Sequence, residues 1–426
     1  MRFSCALILS AALVATGAVH LGALDTTHTL HHTSAARLKT VRHRRHHVVA
    51  HTSRHPVPHA ATAHKAVAGS VHHHAALRRT SLRVRHHRYY ERFTASSFAT
   101  PEEYATDVTG GEDPIVRQAA IDALGNMNGT VVVINPDNGR ILAMVNQKLA
   151  LSPGAEPCST IKLTVAMAAL SEGIVTKDTM VRLPGFRMNM TQALAHSNNL
   201  YFEELGRELG FERVHHYATE FGLGELAGWH IAGEQLGTYP DHPIPTSQGG
   251  VGRMCSFGQG VSLTPLQLGA YVAALANGGT LYYLQHPDTP KDVADFTPHI
   301  KRKLDIARFV PEMEDGMAGA VEFGTARRLR ASFTEFPVFG KTGTCSEKGT
   351  RFGWFASFED SPQGRLVAVF FLEGGRPTFG PRAAELAGVF YRNLQDRNYF
   401  DGKPSQDTAS EESGATLQTV SDMSNK

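Results

Sequence analysis

The amino-acid sequence predicts an α+β fold, in which an antiparallel sheet is flanked by N- and C-terminal helices and carries an inserted all-helical lobe. Two pairs of short apolar segments lie far apart in the chain, and a mostly helical stretch separates them. A segment with helical spacing stands outside each pair. This order of segments is typical of an antiparallel sheet with helices on its faces.

The first helix and the first hairpin are predicted within residues 113–145. The segment DPIVRQAAIDAL has helical spacing, and Asp113 is a suitable N-cap before Pro114 in the first turn. The apolar runs 130–135 and 140–145 follow it, and the Pro-Asp-Asn-Gly sequence between them is typical of a hairpin turn.

Later segments predict the helical lobe and the second hairpin. An apolar stretch after Ser159 predicts a helix that ends at Gly173, and LYFEELGRELG predicts a helix that ends at Gly210. The runs 352–358 and 365–374 predict the second hairpin, and PRAAELAGVFYRNLQ predicts the closing helix.

Composition divides the chain into parts of opposite charge. With 426 residues, 42% of them hydrophobic, the chain can bury one or two sizeable cores. Between Thr26 and Tyr90 there are twelve Lys or Arg and no Asp or Glu, and the first 90 residues contain sixteen of the 23 His. From Glu91 onward, 29 basic and 39 acidic residues make the body acidic, so we expect no nucleic-acid partner.

Three polar clusters follow one another along the body. They are Ser159-Thr-Ile-Lys162, Ser197-Asn-Asn199 and Lys341-Thr-Gly-Thr344. Each cluster alone has an ordinary structural interpretation, respectively a turn of a surface helix, an N-cap and a strand end. Together, in this order, they form one chemical set for acyl transfer.

The first two clusters supply a nucleophile, a base and a proton relay. A serine hydroxyl is a weak nucleophile until a base takes its proton, and Lys162 lies one helical turn after Ser159. The lysine must be neutral to act as a base, so burial or a second cation such as Lys341 has to lower its pKa. Ser197 can pass a proton to a leaving nitrogen. Asn199 offers a donor and an acceptor to a peptide-like substrate.

The third cluster suits the other end of such a substrate. Lys341, with the hydroxyls of Thr342 and Thr344, suits a terminal carboxylate. Gly343 lets a substrate backbone lie close to the strand. The backbone N–H groups of Ser159 and Thr344 are candidates for holding the oxyanion.

At these residues the chain resembles the penicillin-binding proteins, the serine DD-transpeptidases of bacterial walls, and more distantly the serine β-lactamases. The resemblance runs from about Asp113 to Asp396 and includes VVVINPDNGRILAMV, SNNLYFEELGRELG, SFGQGVSLTPLQLGAYVAALANGG and FGTARR. It implies a serine acyltransferase on D-alanyl-D-alanine-ended peptidoglycan stem peptides, either a DD-transpeptidase or a DD-carboxypeptidase. It also implies that β-lactam antibiotics acylate the protein covalently and that the reaction needs neither a metal nor a cofactor.

The chain departs from the family pattern at three points. Ser197 follows Ser159 by 38 residues, a spacing that indicates a shortened helical lobe. Cys158 stands where many relatives have glycine. Neither a glycosyltransferase domain nor a substantial pedestal domain precedes the first hairpin, so we expect a bare transpeptidase-like unit on a tether.

The resemblance and the composition together predict four parts. Residues 1–25 are expected to be a signal peptide, cleaved after Ala18, or a retained membrane anchor, and both lead the body to a periplasmic or extracytoplasmic location. The His/Arg-rich stretch 26–98 predicts a disordered linker. Alternatively, it binds metal ions, wall polyanions or wall-synthesis proteins. The transpeptidase-like domain spans 99–400, and 401–426 is a polar, disordered tail.

Two other functions stay open. A β-lactamase needs a base that activates water, and Glu234 in IAGEQLGTYP lies in about the right region, although its context resembles a structural glutamate of transpeptidases. A non-catalytic β-lactam sensor uses the same Ser/Lys site. Such sensors generally need a membrane-spanning transducer, and no second hydrophobic span is visible.

The resemblance also implies a disulfide. Carbapenem-hydrolysing class A β-lactamases carry bridged cysteines at the same relative positions as Cys158 and Cys345, which implies this pairing and leaves Cys255 unpaired. Export permits such a bond. The residues alone leave alternatives open: two buried free thiols, a reactive Cys158 thiolate, or pairings through Cys255.

Overall fold

The computed structural model describes residues 95–401. The predicted segment 1–25, the linker up to residue 94 and the tail from residue 402 lie outside the described residues. Within 95–401, no helix combines the length and the hydropathy needed to cross a membrane.

A five-stranded antiparallel sheet forms the centre of the domain, with the strand order β2-β1-β9-β8-β7. The pairs β3–β4 and β5–β6 form two small separate sheets. The strands are β1 Gly129–Ile134, β2 Ile141–Val145, β3 Val181–Leu183, β4 Phe186–Met188, β5 Thr280–Tyr282, β6 Ile300–Lys303, β7 Val338–Glu347, β8 Thr350–Ser361 and β9 Gly364–Gly374.

Ten α-helices accompany these strands within the described part of the chain. They are α1 Pro114–Leu124, α2 Gln147–Ala150, α3 Lys162–Ser171, α4 Met190–Ala195, α5 Asn199–Glu220, α6 Gly250–Phe257, α7 Pro265–Ala276, α8 Pro290–Ala294, α9 Val310–Glu322 and α10 Gly380–Asp396. A 3-10 turn, Cys158–Ile161, directly precedes α3.

The predicted α+β fold with an antiparallel sheet is confirmed, and so are both hairpins and both terminal helices. The inserted segment is not all-helical, because the small sheets β3–β4 and β5–β6 lie within it. Asp113 caps α1, because its side chain accepts hydrogen bonds from the N–H groups of Ile115 and Val116. The predicted helix end at Gly210 is confirmed as well, because Gly210 has a non-helical φ of 76° and ψ of 164°, and α5 consists of two helical segments that meet in a kink at this glycine.

The central sheet is buried on both faces, which explains why β1 is a continuous apolar run. Val132 and Ile134 of β1 face the core formed with α3, α5 and α7. Val131 and Val133, which point the opposite way, face the core formed with α1 and α10. The terminal helices therefore cover one face of the sheet, and the helical lobe covers the other.

Residues 95–98, which the sequence assigned to the linker, pack against the sheet. Ser97 is fully buried, and its hydroxyl accepts a 2.7 Å hydrogen bond from the N–H of Gly375. The N–H of Asn128 donates to the Ser97 carbonyl at 2.9 Å. This short polar segment has no apolar pattern, so only the tertiary contacts reveal that it belongs to the domain.

Candidate active site

The structure brings Ser159 and Lys162 into direct contact at the start of α3. Ser159 lies in the 3-10 turn, and Lys162 is the first residue of the helix. The Nζ atom of Lys162 is 2.6 Å from the Ser159 Oγ atom, 2.8 Å from Asn199 Oδ1 and 2.5 Å from the carbonyl oxygen of Ser256. Lys162 is fully buried, so these three oxygens surround its amine.

The environment of Lys162 favours the neutral amine. Burial, with a smaller contribution from the positive charge of Lys341, lowers the pKa of Lys162 to about 6, although Glu203 opposes the shift. The rings of Phe202 and Phe257 lie 5.7 and 5.8 Å from Nζ and help to exclude water from it. At neutral pH the amine therefore carries a free lone pair.

The neighbours of Lys162 determine where that lone pair points. A neutral amine has two N–H donors and one lone pair. Asn199 Oδ1 and the Ser256 carbonyl are acceptors only, so they take the two N–H groups. The lone pair is left for the Ser159 hydroxyl, which is the arrangement that a base for this serine requires.

Lys341 and Ser197 form the second pair of the site. The Nζ atom of Lys341, also fully buried, lies 2.8 Å from the Ser197 Oγ atom and 3.0 Å from the Thr342 carbonyl oxygen. Burial lowers the pKa of Lys341 to about 7. Ser197 has φ 54° in the connection between α4 and α5. The N-cap of α5 is Asn198, whose side chain accepts from Tyr201 N–H, so Ser197 is not needed as a helix cap.

Strand β7 alternates its side chains between two faces. Gly343 and Cys345 face the 3-10 turn that carries Ser159. At Gly343 a Cβ atom would lie 2.9 Å from the Pro157 carbonyl oxygen, so only glycine lets the strand come this close to the turn. This contact with the nucleophile turn gives Gly343 a structural role that the sequence did not predict.

Thr342 and Thr344 lie on the opposite face of β7. The Thr342 hydroxyl contacts the Thr325 hydroxyl at 2.7 Å, and the Thr344 hydroxyl accepts a 2.8 Å hydrogen bond from the N–H of Gly380. The two hydroxyls therefore contact the loop after α9 and the start of α10, respectively. Sequence reasoning missed Thr325 as a neighbour of the site, although its segment FGTARR was part of the family resemblance.

A disulfide joins the nucleophile turn to β7. Cys158 and Cys345 are bonded, with an S–S distance of 1.93 Å and a Cα–Cα distance of 5.5 Å, in the pairing that the resemblance implied. The carbonyl of Glu156 reinforces the link, because it accepts a 3.0 Å hydrogen bond from the Trp354 indole of β8. Cys255 is a buried free thiol, and its burial raises its pKa.

Glu234 makes its hydrogen bonds with the backbone of the turn that precedes it. Its carboxylate accepts from the N–H groups of Ala227 and Gly228 at distances between 2.8 and 3.1 Å, and so closes the turn between them. These contacts support the structural interpretation of Glu234 over a role as a water-activating base.

Comparisons with known proteins agree with this geometry. The profile described as "Penicillin binding protein transpeptidase domain" matches residues 129–388. Stage V sporulation protein D of Bacillus subtilis is 31% identical over 261 residues, which are 51% of this chain and 39% of that protein. Peptidoglycan D,D-transpeptidase MrdA of Acinetobacter baumannii is 25% identical over 362 residues, which are 64% of this chain and 51% of that protein.

The fold is also found among solved structures. Pseudomonas aeruginosa PBP2, solved in complex with WCK 5153, superposes with a TM-score of 0.55 and 23% identity, over 67% of this chain and 74% of that one. The chain spans between 39% and 51% of the length of the two curated relatives named above. The matched profile covers more than half of the chain, and the chain therefore belongs to the family of penicillin-binding protein transpeptidase domains.

Proposed function

We propose that the chain is a serine acyltransferase acting on D-alanyl-D-alanine-ended peptidoglycan stem peptides, as a DD-transpeptidase or a DD-carboxypeptidase, and that β-lactams acylate it. One observation carries the proposal: the buried Lys162 amine has acceptors for both N–H groups and contacts the Ser159 hydroxyl. Membership of the penicillin-binding protein transpeptidase family supports the same substrate class.

Acylation begins at Ser159. Lys162 takes the hydroxyl proton as Ser159 attacks the carbonyl of the penultimate D-alanine, and a tetrahedral intermediate forms. Strand β7 is the edge strand of the sheet, so it has N–H groups that do not pair with β8. The N–H groups of Thr344 and Ser159 are assigned to the oxyanion.

The Ser197–Lys341 pair serves the leaving group and the substrate carboxylate. Ser197 donates its hydroxyl proton to the leaving nitrogen as the C–N bond breaks and D-alanine departs, and the proton that Lys162 took from Ser159 replaces it on Ser197. Lys341, with Thr342 and Thr344 beside it, binds the terminal carboxylate. A carboxylate there favours the charged form of Lys341, and that positive charge disfavours protonation of Lys162. Substrate binding thus helps to keep the base neutral. An amine of a neighbouring stem peptide, or water, then resolves the ester.

The location and the tether are part of the proposal. Acceptor and donor stem peptides lie in the cell wall, so the domain would work in the periplasm or another extracytoplasmic space, secreted or anchored by its N-terminal segment. The basic stretch before residue 95 would act as a tether, and wall polyanions or wall-synthesis proteins are its proposed contacts.

Labelling with a fluorescent penicillin tests the proposal. The purified protein should gain one covalent label, with the mass of the intact penicillin, on the peptide that contains Ser159. Ser159→Ala should abolish labelling and Lys162→Ala should nearly abolish it. Ser152→Ala, in the preceding loop, serves as the matched control and should label normally. Full labelling of Ser159→Ala would refute the assignment.

A further inference from the structure

A second concave site lies between the turn 225–234 and the small sheet formed by β5 and β6. The cleft has a volume of about 630 Å³, which is within the range of small-ligand sites. It shares no lining residue with the Ser159 site, and the proposed acyl-transfer mechanism does not use it. Its features therefore need a separate explanation.

An exposed tryptophan lines this cleft. Trp229 is 40% exposed although three rings contact it. The His299 ring stacks on the indole with a centroid distance of 4.2 Å and an interplanar angle of 15°, and Tyr283 and His230 lie at 5.2 and 4.8 Å. His299 covers one face of the indole and does not line the cleft, so Trp229, His230 and Tyr283 are the rings that the cleft offers to a ligand as a rigid apolar surface.

The backbone around Trp229 is held in place before any ligand binds. Trp229 N–H donates to the Leu284 carbonyl at 2.7 Å, and Glu234 closes the turn that leads to it. His230, the next residue, has φ 55°, a left-handed conformation that histidine adopts more often than most non-glycine residues.

The charged groups of the cleft are paired with each other. Glu225 contacts the Lys301 amine at 2.6 Å and the Arg302 guanidinium at 2.9 Å. Lys301 also lies 5.2 Å from the centroid of the Tyr283 ring, so that ring already has a cation over it. With Glu234, the cleft has two formal charges of each sign. A strongly charged ligand would have to break these pairs, whereas a neutral ligand would not.

We propose that this cleft binds a neutral saccharide, an N-acetylated amino-sugar segment of a glycan strand, with a sugar ring packed on Trp229. The C–H groups on one face of a sugar ring suit the electron-rich face of an indole, and its hydroxyls suit the polar rim. The acetamido group adds a methyl group and an amide, for which the exposed Leu226 and the neighbouring peptide groups are suitable partners. The inference rests on the proposed function in so far as stem peptides are carried on such glycans.

Tryptophan fluorescence provides a direct readout. The chain has two tryptophans, and Trp354 is fully buried, so a ligand-dependent spectral change reports on Trp229. Titration with tetra-N-acetylchitotetraose should give a saturable blue shift. Cellotetraose, which has no acetamido groups, should bind about tenfold more weakly or not at all.

Variants locate the binding site. Trp229→Ala should weaken chitotetraose binding, measured by calorimetry, by about tenfold or more, and Trp229→Phe should restore part of it. Phe186→Ala is the matched control, because Phe186 is an aromatic residue of similar exposure, 39%, outside the cleft. Penicillin labelling of Ser159 should be the same in all three variants.

Each outcome decides a specific point. No saturable response to chitotetraose, or equal affinity in Trp229→Ala, overturns the saccharide site. Equal binding of cellotetraose overturns the assignment to amino sugars. If chitotetraose binds through Trp229 but penicillin does not label Ser159, the proposed acyl transfer fails and the saccharide site stands. If labelling succeeds and the sugar does not bind, only this inference fails.

Discussion

The Lys162 amine lies 2.6 Å from the Ser159 hydroxyl and contacts no carboxylate, because its other two partners are the Asn199 amide oxygen and the Ser256 carbonyl. A buried lysine without a counter-ion loses its proton readily. Ser159 therefore faces a base that is already neutral at physiological pH, and this relationship leads directly to a pH prediction.

The rate of penicillin acylation should depend on pH through both lysines. It should rise as Lys162 loses its proton, with a midpoint at about pH 6, and fall above about pH 7 as Lys341 loses the charge that binds the β-lactam carboxylate. Because the two amines interact, each midpoint is an apparent pKa of the coupled pair and is not assigned to one lysine alone. Second-order acylation rate constants measured across this range by stopped flow provide the test.

Glu203 offers a control for the rising limb of that profile. Its negative charge raises the pKa of Lys162, so Glu203→Gln should move the rising limb to lower pH and leave the maximum rate nearly unchanged. A rising limb that stays in place, or a rate that is constant from about pH 5 to 8, would contradict the role of Lys162 as the base.

Protein stability should show the cost of burying Lys162. Its pKa is lowered to about 6 from the usual lysine value of 10.5, so between these pH values the unfolded state binds more protons than the folded state. The free energy of unfolding should therefore rise with pH in this window, by up to about 1.4 kcal/mol per pH unit for this group. Lys162→Met removes that contribution and should reduce the slope without abolishing it, because Lys341, whose pKa is lowered to about 7, contributes a slope of the same sign.

Urea unfolding at several pH values between about 7 and 9 measures this effect. The control is Lys291→Met, because the Lys291 side chain is 85% exposed and its removal should leave the slope unchanged. A slope that is the same in Lys162→Met and in the parent protein would show that Lys162 remains charged in the folded state.

The penicillin adduct should be long-lived, because Glu234 holds backbone N–H groups of Ala227 and Gly228 and is not free to activate water. Glu234→Gln should lower thermal stability, because an amide accepts these hydrogen bonds less well than a carboxylate. It should leave the rate of label release unchanged. Intact-mass measurements over several hours test this. Rapid release that depends on Glu234 would place the protein among the β-lactamases.

The parts of the fold that could be predicted from the sequence are those set by local chemistry. The Asp113 cap, the turn of Pro-Asp-Asn-Gly and the short apolar runs each carry a short-range signal. The strand order could not be predicted, because β1 pairs with β9 through residues 129–134 and 367–372, which lie far apart in the chain. Gly210 carried a local signal, since a glycine with positive φ ends a helix, whereas the second helical segment, which continues from the kink to Glu220, was not predicted.

In the site, residues that act through side chains in known motifs could be predicted, whereas those that act through backbone or through distant packing could not. The Ser256 carbonyl directs the Lys162 lone pair, and a carbonyl group has no sequence signature. Thr325 reaches Thr342 because the loop after α9 lies against β7. The close approach at Gly343 likewise appears only when the nucleophile turn and the strand are placed together.

The position of the linker boundary predicts different outcomes for two deletions. Removal of residues 26–90 should leave penicillin labelling and thermal stability intact and change retention on isolated cell wall or membrane. Removal of residues 26–98 also deletes Ser97, which is buried and hydrogen-bonded to Gly375 and Asn128. This longer deletion should therefore lower the melting temperature. Equal melting temperatures for the two deletions would contradict this boundary, and equal wall retention with and without 26–90 would make the tract a plain spacer.

The Cys158–Cys345 disulfide should support both stability and acylation. It closes a loop with a sequence separation of 187 residues, for which the chain-entropy estimate is roughly 5 kcal/mol as an upper value. It also ties the residue before Ser159 to the strand that carries Lys341 and Thr344. The double variant Cys158→Ala/Cys345→Ala should therefore unfold at lower urea concentration and acylate more slowly, with the main loss in the acylation step and not in the initial binding of penicillin.

Cys255→Ala removes a buried thiol without opening a loop, so its acylation rate should stay close to that of the parent protein. Reduction of the parent protein should reproduce the effect of the double variant. Two findings would refute this role: free thiols at both positions in protein purified without reductant, or unchanged acylation kinetics in the double variant.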